Sequence, residues 1–251
     1  MHLPWLALFV LRESGSSDGP KAHTINQLIA SLPVKERKRI LRLGKTVDLV
    51  DGALLCEVDE PFRHVYFPES GLIWLVAMTR DHEPLGLAMI GNEGLVGSTL
   101  ALGVNTPRLC AVAHGPCVAL CVSAPQLRRL LPKNPSLSRT LRRYYYVLMG
   151  QLLQTAACNS FHQVEQRLAR WLLMTDDRGL TDDFQLTHQV LADLLGVQRS
   201  AVTIAAGKLQ RKKLIGYARG HVSILSRSGL EAATCECYGV RAEDHARQFA
   251  H

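Results

Sequence analysis

Residues 187–209 read T-H-Q-V-L-A-D-L-L-G-V-Q-R-S-A-V-T-I-A-A-G-K-L, and the fold is decided here. Thr187 is a good N-cap, because its hydroxyl can accept from an otherwise free N–H of a helix running to Leu194 or Leu195. Val190, Leu191, Leu194 and Leu195 recur at helical spacing and face inward. Ala192 is small where a second helix must cross closely, and Gly196 stands at a sharp turn that suits a positive φ. Val197 plugs the corner. A second helix then starts near Gln198, with Ala201, Val202, Ala205 and Leu209 packing back on the first and Gln198, Arg199, Ser200 and Thr203 projecting outward. The pattern predicts a helix-turn-helix.

The outward residues are of the types that read base edges. Arginine can donate two hydrogen bonds to guanine O6 and N7, glutamine can pair with adenine, and serine or threonine can serve bases or phosphates. Lys208, Arg211, Lys212 and Lys213 can neutralise phosphates beside the groove, which gives affinity without sequence information. From Gln198 to Ser228 there are seven Lys or Arg and no Asp or Glu. A basic run alone is often only a solvated face; the helix pair before it gives it meaning. After it, residues 214–217 and 222–225 read as two strands about an Arg219-Gly220 turn, a hairpin wing that puts Arg219 at its tip as a further DNA-contact candidate.

Upstream, residues 24–43 show helical spacing around a basic 35–39 face. From about 46 to 123 the pattern becomes short apolar runs (47–50, 65–67, 72–78, 85–90, 109–113, 118–122) separated by turn residues, which predicts an all-β barrel or sandwich. Residues 125–131 read as a short helix. Over 136–158, Leu137, Leu141, Tyr144, Tyr145, Leu148, Leu152 and Thr155 or Ala156 recur at three and four, giving a long amphipathic helix. Its stripe serves either as a homodimer seam or as a pack against its own barrel. A further helix spans 161–175, and a strand-like 184–186 leads into the helix pair.

The 251 residues are 47% hydrophobic and 20% charged, the balance of a globular chain long enough for two domains. The net charge of +7 suits a polyanionic partner. The seven cysteines (56, 110, 117, 121, 158, 235 and 237) include no C-x-x-C pair and no cluster with structural-zinc spacing, so no metal site is expected. Most read as small buried hydrophobes. Cys235 and Cys237 form C-x-C, read as two unreactive thiols rather than a redox switch. The apolar stretch 3–11 lacks the leader and cleavage site of a signal peptide and is too short to span a bilayer, and 14–20 reads as linker. The expected location is therefore the cytoplasm, without membrane contact. There is no phosphate-cradling glycine loop followed by a helix, no G-x-S-x-G and no H-E-x-x-H, so no enzyme is expected.

Residues 24–230 resemble the Crp/Fnr family of bacterial regulators, most strongly in T-H-Q-V-L-A-D-L-L-G-V-Q-R-S-A-V and in R-L-A-R-W-L-L before it, more loosely in the β region. The terminal G-L-E-A-A-T-C-E-C-Y also looks like a tail recurrent in one subgroup. The resemblance implies an α+β fold: an antiparallel, jelly-roll-like β-roll sensor over 23–135, a dimerisation helix over 136–159 and a winged helix-turn-helix over 160–235. A flexible extension (1–22) and a C-terminal tail (236–251) flank them. It implies a transcription regulator that binds a palindromic operator on double-stranded DNA as a homodimer and works with RNA polymerase. Gln198, Arg199, Ser200 and Thr203 would occupy the base-reading face, with Arg199 the guanine-reading arginine, and Thr187 and Gln189 would contact phosphates. Two positions depart from the family: Ser200 stands where a Glu is common, and Ile204 where a second Arg is common.

The sensor also departs. Cyclic-nucleotide binders of the family carry a Gly-Glu pair for the ribose and an Arg-Ser pair for the phosphate; here Gly94 is followed by Leu95, and Arg108 lies in T-P-R-L. Gly94 and Arg108 are the effector-site candidates, but leucine cannot accept from a ribose hydroxyl, and burying that hydroxyl unpaired costs about 1–3 kcal/mol. The expected effector is therefore an unidentified small molecule other than cyclic AMP, or none. Residues 1–30 hold no cysteine for an iron–sulfur centre. His64, His82 and His114 are read as surface or hydrogen-bonded histidines rather than haem ligands, so no cofactor is expected.

Overall fold

The computed structural model describes residues 25–178 and 183–249, so the extension expected over 1–22 lies outside the described residues. The chain divides into two compact units. One holds Met89–Tyr146 with the described residues up to Leu75; the other holds Val76–Ala88 with the described residues from Val147 onward.

The first unit opens with α1 (Gln27–Ala30) and α2 (Val34–Leu43). The sequence periodicity runs through 24–43 without a break, but Pro33 has no N–H to continue a helix and instead stands as the N-cap of α2. Asn26, fully buried, accepts from the Leu28 N–H and donates through Nδ2 to the carbonyls of Pro68 (2.9 Å) and Gly94 (2.8 Å), which ties α1 to the β region.

Five strands form one sheet: β1 (Lys45–Leu49), β2 (Leu54–Cys56), β3 (His64–Ala77), β4 (Leu85–Ile90) and β5 (Cys110–Ser123). The order is β1-β5-β3-β4, with β2 also on β5, and β1 pairs antiparallel with β5 from Lys45 opposite Cys121 to Leu49 opposite Cys117. β3 and β5 each join two runs that the sequence reading separates. At Gly71 (φ +79°) a Cβ would lie 2.5 Å from the Pro116 carbonyl oxygen and 2.6 Å from the Cys117 Cα, so this glycine marks a close approach of two backbones inside the sheet rather than a turn. Phe67, Leu72, Ile73, Ile90, Val112 and Val122 are buried in the core. His114 stacks on Trp74 with ring centroids 3.8 Å apart, and its Nδ1 lies 3.5 Å from Asp51. That hydrogen bond holds the Asp51 carboxyl below the usual range.

After α3 (Ala124–Leu130) comes α4 (Pro135–Phe161), 27 residues long. Of the stripe singled out in the sequence, Leu137, Leu141, Tyr144, Leu148 and Thr155 are buried, Tyr145 and Leu152 are half-buried, and Ala156 is exposed. A second stripe faces outward, with Tyr146 (61% exposed), Met149 (43%) and Leu153 (67%) followed by exposed Ala156 and Ser160.

The second unit contains α5 (Val164–Asp176), β6 (Asp183–Gln185), α6 (His188–Leu195), α7 (Arg199–Arg211), β7 (Ile215–Ala218), β8 (His221–Ile224), α8 (Arg227–Ala232) and α9 (Cys237–Phe249). The segment read from sequence as a C-terminal tail thus contains α9. Its sheet runs β6-β8-β7, antiparallel throughout. Leu168, Leu172, Leu191, Leu195, Val202 and Leu209 fill the core between α5, α6 and α7, each such burial contributing about 1.5–3 kcal/mol relative to exposure. The α+β order expected from the sequence is present: an antiparallel sheet, a long helix and a C-terminal helix-turn-helix. No single described helix is long and apolar enough to cross a membrane.

Candidate nucleic-acid interface

Thr187 caps α6 as the sequence predicts, its Oγ1 accepting from the Val190 N–H (3.2 Å). The helix ends at Gly196 in the left-handed region (φ +61°), whose N–H reaches the Ala192 and Asp193 carbonyls. A Cβ there would lie 2.7 Å from a Leu85 methyl carbon, so the turn needs glycine for both conformation and space. The buried guanidinium of Arg167 donates to the Leu195 carbonyl, satisfying an acceptor that the helix end leaves free. Gln198 then opens α7, and the two helix axes differ by 109°, within the usual range for a helix-turn-helix of roughly 90–120°.

Val202, Ala205, Ala206 and Leu209 bury one side of α7; Ala201, expected with them, is half-buried. Arg199, Ser200, Thr203, Ile204 and Lys208 lie exposed on the other. Arg199 has no carboxylate partner among the described residues, so its guanidinium is free to donate. Thr203 Oγ1 donates to the Arg199 carbonyl (3.1 Å) and lies 3.0 Å from His188 Nδ1. The ring of His188 packs on Tyr217, centroids 4.4 Å apart, and the Tyr217 hydroxyl donates to the Leu186 carbonyl (2.6 Å). Burial, and then the Arg199 charge, lower the His188 pKa, which keeps the ring neutral at neutral pH.

The wing closes in the two-residue turn Arg219-Gly220, with φ of 52° and 85°, the backbone that matches strand twist in a tight hairpin. A Cβ on Gly220 would lie 3.6 Å from the Thr187 methyl, and the Leu186 N–H donates to the Gly220 carbonyl (2.8 Å). Contacts thus run from the wing tip through Thr187 and His188 to Thr203 and Arg199. Thr203 thus links His188 to the start of α7, where Gln198, Arg199 and Ser200 are exposed, and Arg219 is exposed at the wing tip next to Gly220.

Two predicted residues are engaged elsewhere. Gln189 donates to the Asp193 carboxylate (2.7 Å) within its own helix. Lys208 lies 3.7 Å from Glu165, which also pairs with Lys212 at 2.7 Å, so one carboxylate of α5 offsets part of the basic tip. His188, packed under Thr203, and Glu165 of α5, paired with Lys208 and Lys212, are the residues whose part sequence reasoning missed, while Ile204, noted in the sequence as a departure from the family, is 61% exposed on the outward side of α7. Glu165 had no local signal.

The effector candidates belong to the first unit. Gly94 is buried with Tyr144 where its Cβ would be, Leu95 is fully buried, and Arg108 is exposed in an ion pair with Asp59 (3.1 Å). Neither Gly94 nor Arg108 lines the open cleft bounded by Leu54, Glu57, Phe62, His64 and Tyr66. Of the three histidines, His114 is held by Trp74 and Asp51, His64 is half-buried beside Tyr66, and His82 is exposed.

A family model described as the Crp-like helix-turn-helix domain matches residues 166–233. The chain is 27% identical over 177 residues to a global nitrogen regulator of a Nostoc species, spanning 66% of this chain and 78% of that protein. Among solved structures it is similar to a transcriptional regulator of the Crp/Fnr family from Eubacterium rectale (TM-score 0.66, 15% identity, 82% of this chain and 97% of that one). It is also similar to FixK2 of Bradyrhizobium japonicum (TM-score 0.65, 17% identity, 76% and 98%).

Proposed function

We propose that this chain, a Crp-type DNA-binding transcription regulator of the Crp/Fnr family, binds a palindromic operator as a homodimer and reads each half-site with the first two turns of α7. The observation that carries this reading is the unpaired Arg199 at the start of α7, exposed beside Gln198, Ser200 and Thr203. Arg199 donates to guanine O6 and N7; Gln198 and Ser200 contact neighbouring base edges. Ile204, apolar and exposed on the same face, packs on a thymine methyl. Thr187, whose oxygen accepts in the cap but whose hydrogen remains available, donates to a phosphate, and Arg219 at the wing tip meets the backbone beside it. Lys208 reaches phosphate by exchanging Glu165 for DNA.

The outward stripe of α4 supports the dimer. Tyr146, Met149, Leu153, Ala156 and Ser160 recur at alternating three and four, the spacing of a helix–helix seam. Pairing two chains there sets two α7 helices to successive major-groove faces about 34 Å apart. Cyclic AMP is not the effector in this reading, because buried Leu95 offers no acceptor and Arg108 points into solvent on Asp59. Another small molecule biases the spacing of the α7 helices, or the protein acts without one. The protein works in the cytoplasm with RNA polymerase and catalyses no reaction.

Selection of bound sequences from random DNA, with the full chain and Arg199→Ala in parallel, tests this. The expected result is a palindromic motif with half-site centres one helical turn apart and a guanine position that relaxes in the variant. A motif that is not palindromic, or one unchanged in Arg199→Ala, refutes it.

A further inference from the structure

Three cysteines and a histidine of the second unit converge at the end of α4. Cys158 lies in the last turns of that helix and His162 follows one turn later, its N–H still donating to the Cys158 carbonyl (3.1 Å), so both side chains share a face. Cys235 lies in the link between α8 and α9, and Cys237 opens α9. The Cys158 and Cys235 sulfurs are 3.6 Å apart, His162 Nδ1 is 3.5 Å from the Cys237 sulfur, and all four donor atoms lie within 4.8 Å of one another. A tetrahedral zinc ion with Zn–S near 2.3 Å and Zn–N near 2.05 Å sets donor–donor edges of about 3.8 Å for S–S and about 3.6 Å for S–N. The two separations agree with those edges, whereas a disulfide needs about 2.05 Å.

The surroundings complete the site. Cys158, Cys235 and Cys237 are buried as a cluster of their own. His162 turns Nε2 to the Glu236 carboxylate (3.2 Å), which leaves Nδ1 facing the sulfurs, the carboxylate–histidine pairing that orients metal-bound imidazoles. Gln154 Nε2 donates to the Cys237 sulfur (2.8 Å). Two nearly buried guanidiniums, Arg167 and Arg170, act electrostatically on the cysteines. Each leaves its Nε without a hydrogen bond, and neither pairs with a carboxylate among the described residues. Buried cations need a compensating anion. Three neutral thiols supply none, while three thiolates and one histidine around a dication carry a net single negative charge.

We propose that Cys158, His162, Cys235 and Cys237 form a structural zinc site that pins the α8–α9 link to the end of α4. Four protein ligands leave no open position, so the ion holds structure rather than activating a substrate. The inference is independent of which DNA sequence the protein reads.

Cobalt titration of the reduced, chelator-stripped full chain tests it. The expected result is one equivalent bound per chain, with the visible bands of tetrahedral cobalt and thiolate charge transfer, and displacement by zinc. Cys158→Ser is expected to weaken binding by more than about 100-fold, and Gln154→Leu, which keeps every ligand, by about 10–100-fold. Cys56→Ser, outside the cluster, leaves binding unchanged. His162→Ala, at a half-exposed position, keeps the test open if Cys158→Ser fails to fold: its cobalt bands shift as nitrogen is lost. No saturable uptake by the reduced protein, or uptake indifferent to Cys158→Ser and His162→Ala, overturns the proposal. So does a Cys158–Cys235 disulfide in the isolated protein that, once reduced, takes up no metal.

Discussion

Arg199 and Lys213 carry the same charge on the same basic segment, yet they are expected to act differently. Arg199 stands at the first turn of α7 without a carboxylate partner among the described residues, while Lys213 lies exposed just beyond the helix end. A bidentate arginine discriminates between bases by about 1–3 kcal/mol, whereas a phosphate-contacting lysine adds affinity to every sequence alike. Arg199→Ala should therefore lose operator binding by roughly 5- to 150-fold while barely changing binding to random DNA. Lys213→Ala should weaken both equally and flatten the salt dependence; competition titrations at several salt concentrations separate the two. His188 gives a different residue-scale test. Its pKa is lowered in the fold by burial and by Arg199, so between its unfolded and folded pKa the unfolded chain binds a proton that the folded chain does not. The stability it contributes is intact above the unfolded value of about 6.5 and falls as pH drops through the folded one. Replacing it by Gln should make Tm less sensitive to acidification from about pH 7.5 to about pH 5.5 than in the parent; an equal or greater sensitivity would show that the ring carries no such linkage.

At the scale of elements, the turn between α6 and α7 was legible because a single glycine had to fulfil a local rule, and two variants can weigh that rule. Gly103 also has positive φ (+80°), but nothing lies within 4 Å of its absent Cβ, whereas at Gly196 a Leu85 methyl is 2.7 Å away. Gly103→Ala should cost about 1–2 kcal/mol from backbone conformation alone, and Gly196→Ala more, because Leu85 must also move; thermal unfolding of both variants ranks them. The strands were less legible. Gly71 and Gly115 look like turn residues in the sequence, yet both lie inside long strands, since bending a strand and ending it place the same demand on a glycine. The Cys/His cluster was invisible because its halves are 77 positions apart, from Cys158 to Cys235, and no local spacing links them. Glu165 was hidden for the same reason, although its effect is measurable. Glu165→Gln frees Lys208 and Lys212 from their shared carboxylate, and each further phosphate contact steepens the log–log salt slope by about 0.9. The variant should bind random DNA more tightly at low salt, with a slope steeper by about 1–2. An unchanged slope would mean that these lysines do not reach the phosphates.

For the whole molecule, the two stripes of α4 divide the work that one helix must do. The inner stripe, Leu137 to Thr155, belongs to the chain's own core, and an outer stripe is left that no described residue covers. Tyr146 to Ser160 covers two heptads, about 21 Å of a helix about 40 Å long, which is a short seam for a coiled coil. An association of that size is expected to be concentration-dependent in free solution and to tighten on an operator, where both half-sites hold the pair together. Leu153, the most exposed of the three large apolar residues, lies at the centre of the seam. Leu153→Glu places two like charges opposite each other across a two-fold axis and, lying outside the core, should leave the fold intact. Sedimentation equilibrium should then report a monomer. Operator affinity should fall by at least about 100-fold as the second half-site ceases to be intramolecular, while affinity for an isolated half-site stays near that of the parent. A variant that remains dimeric would place the seam on another face. A monomer that keeps full operator affinity would mean that each chain reads its site alone, and the palindrome would lose its physical reason.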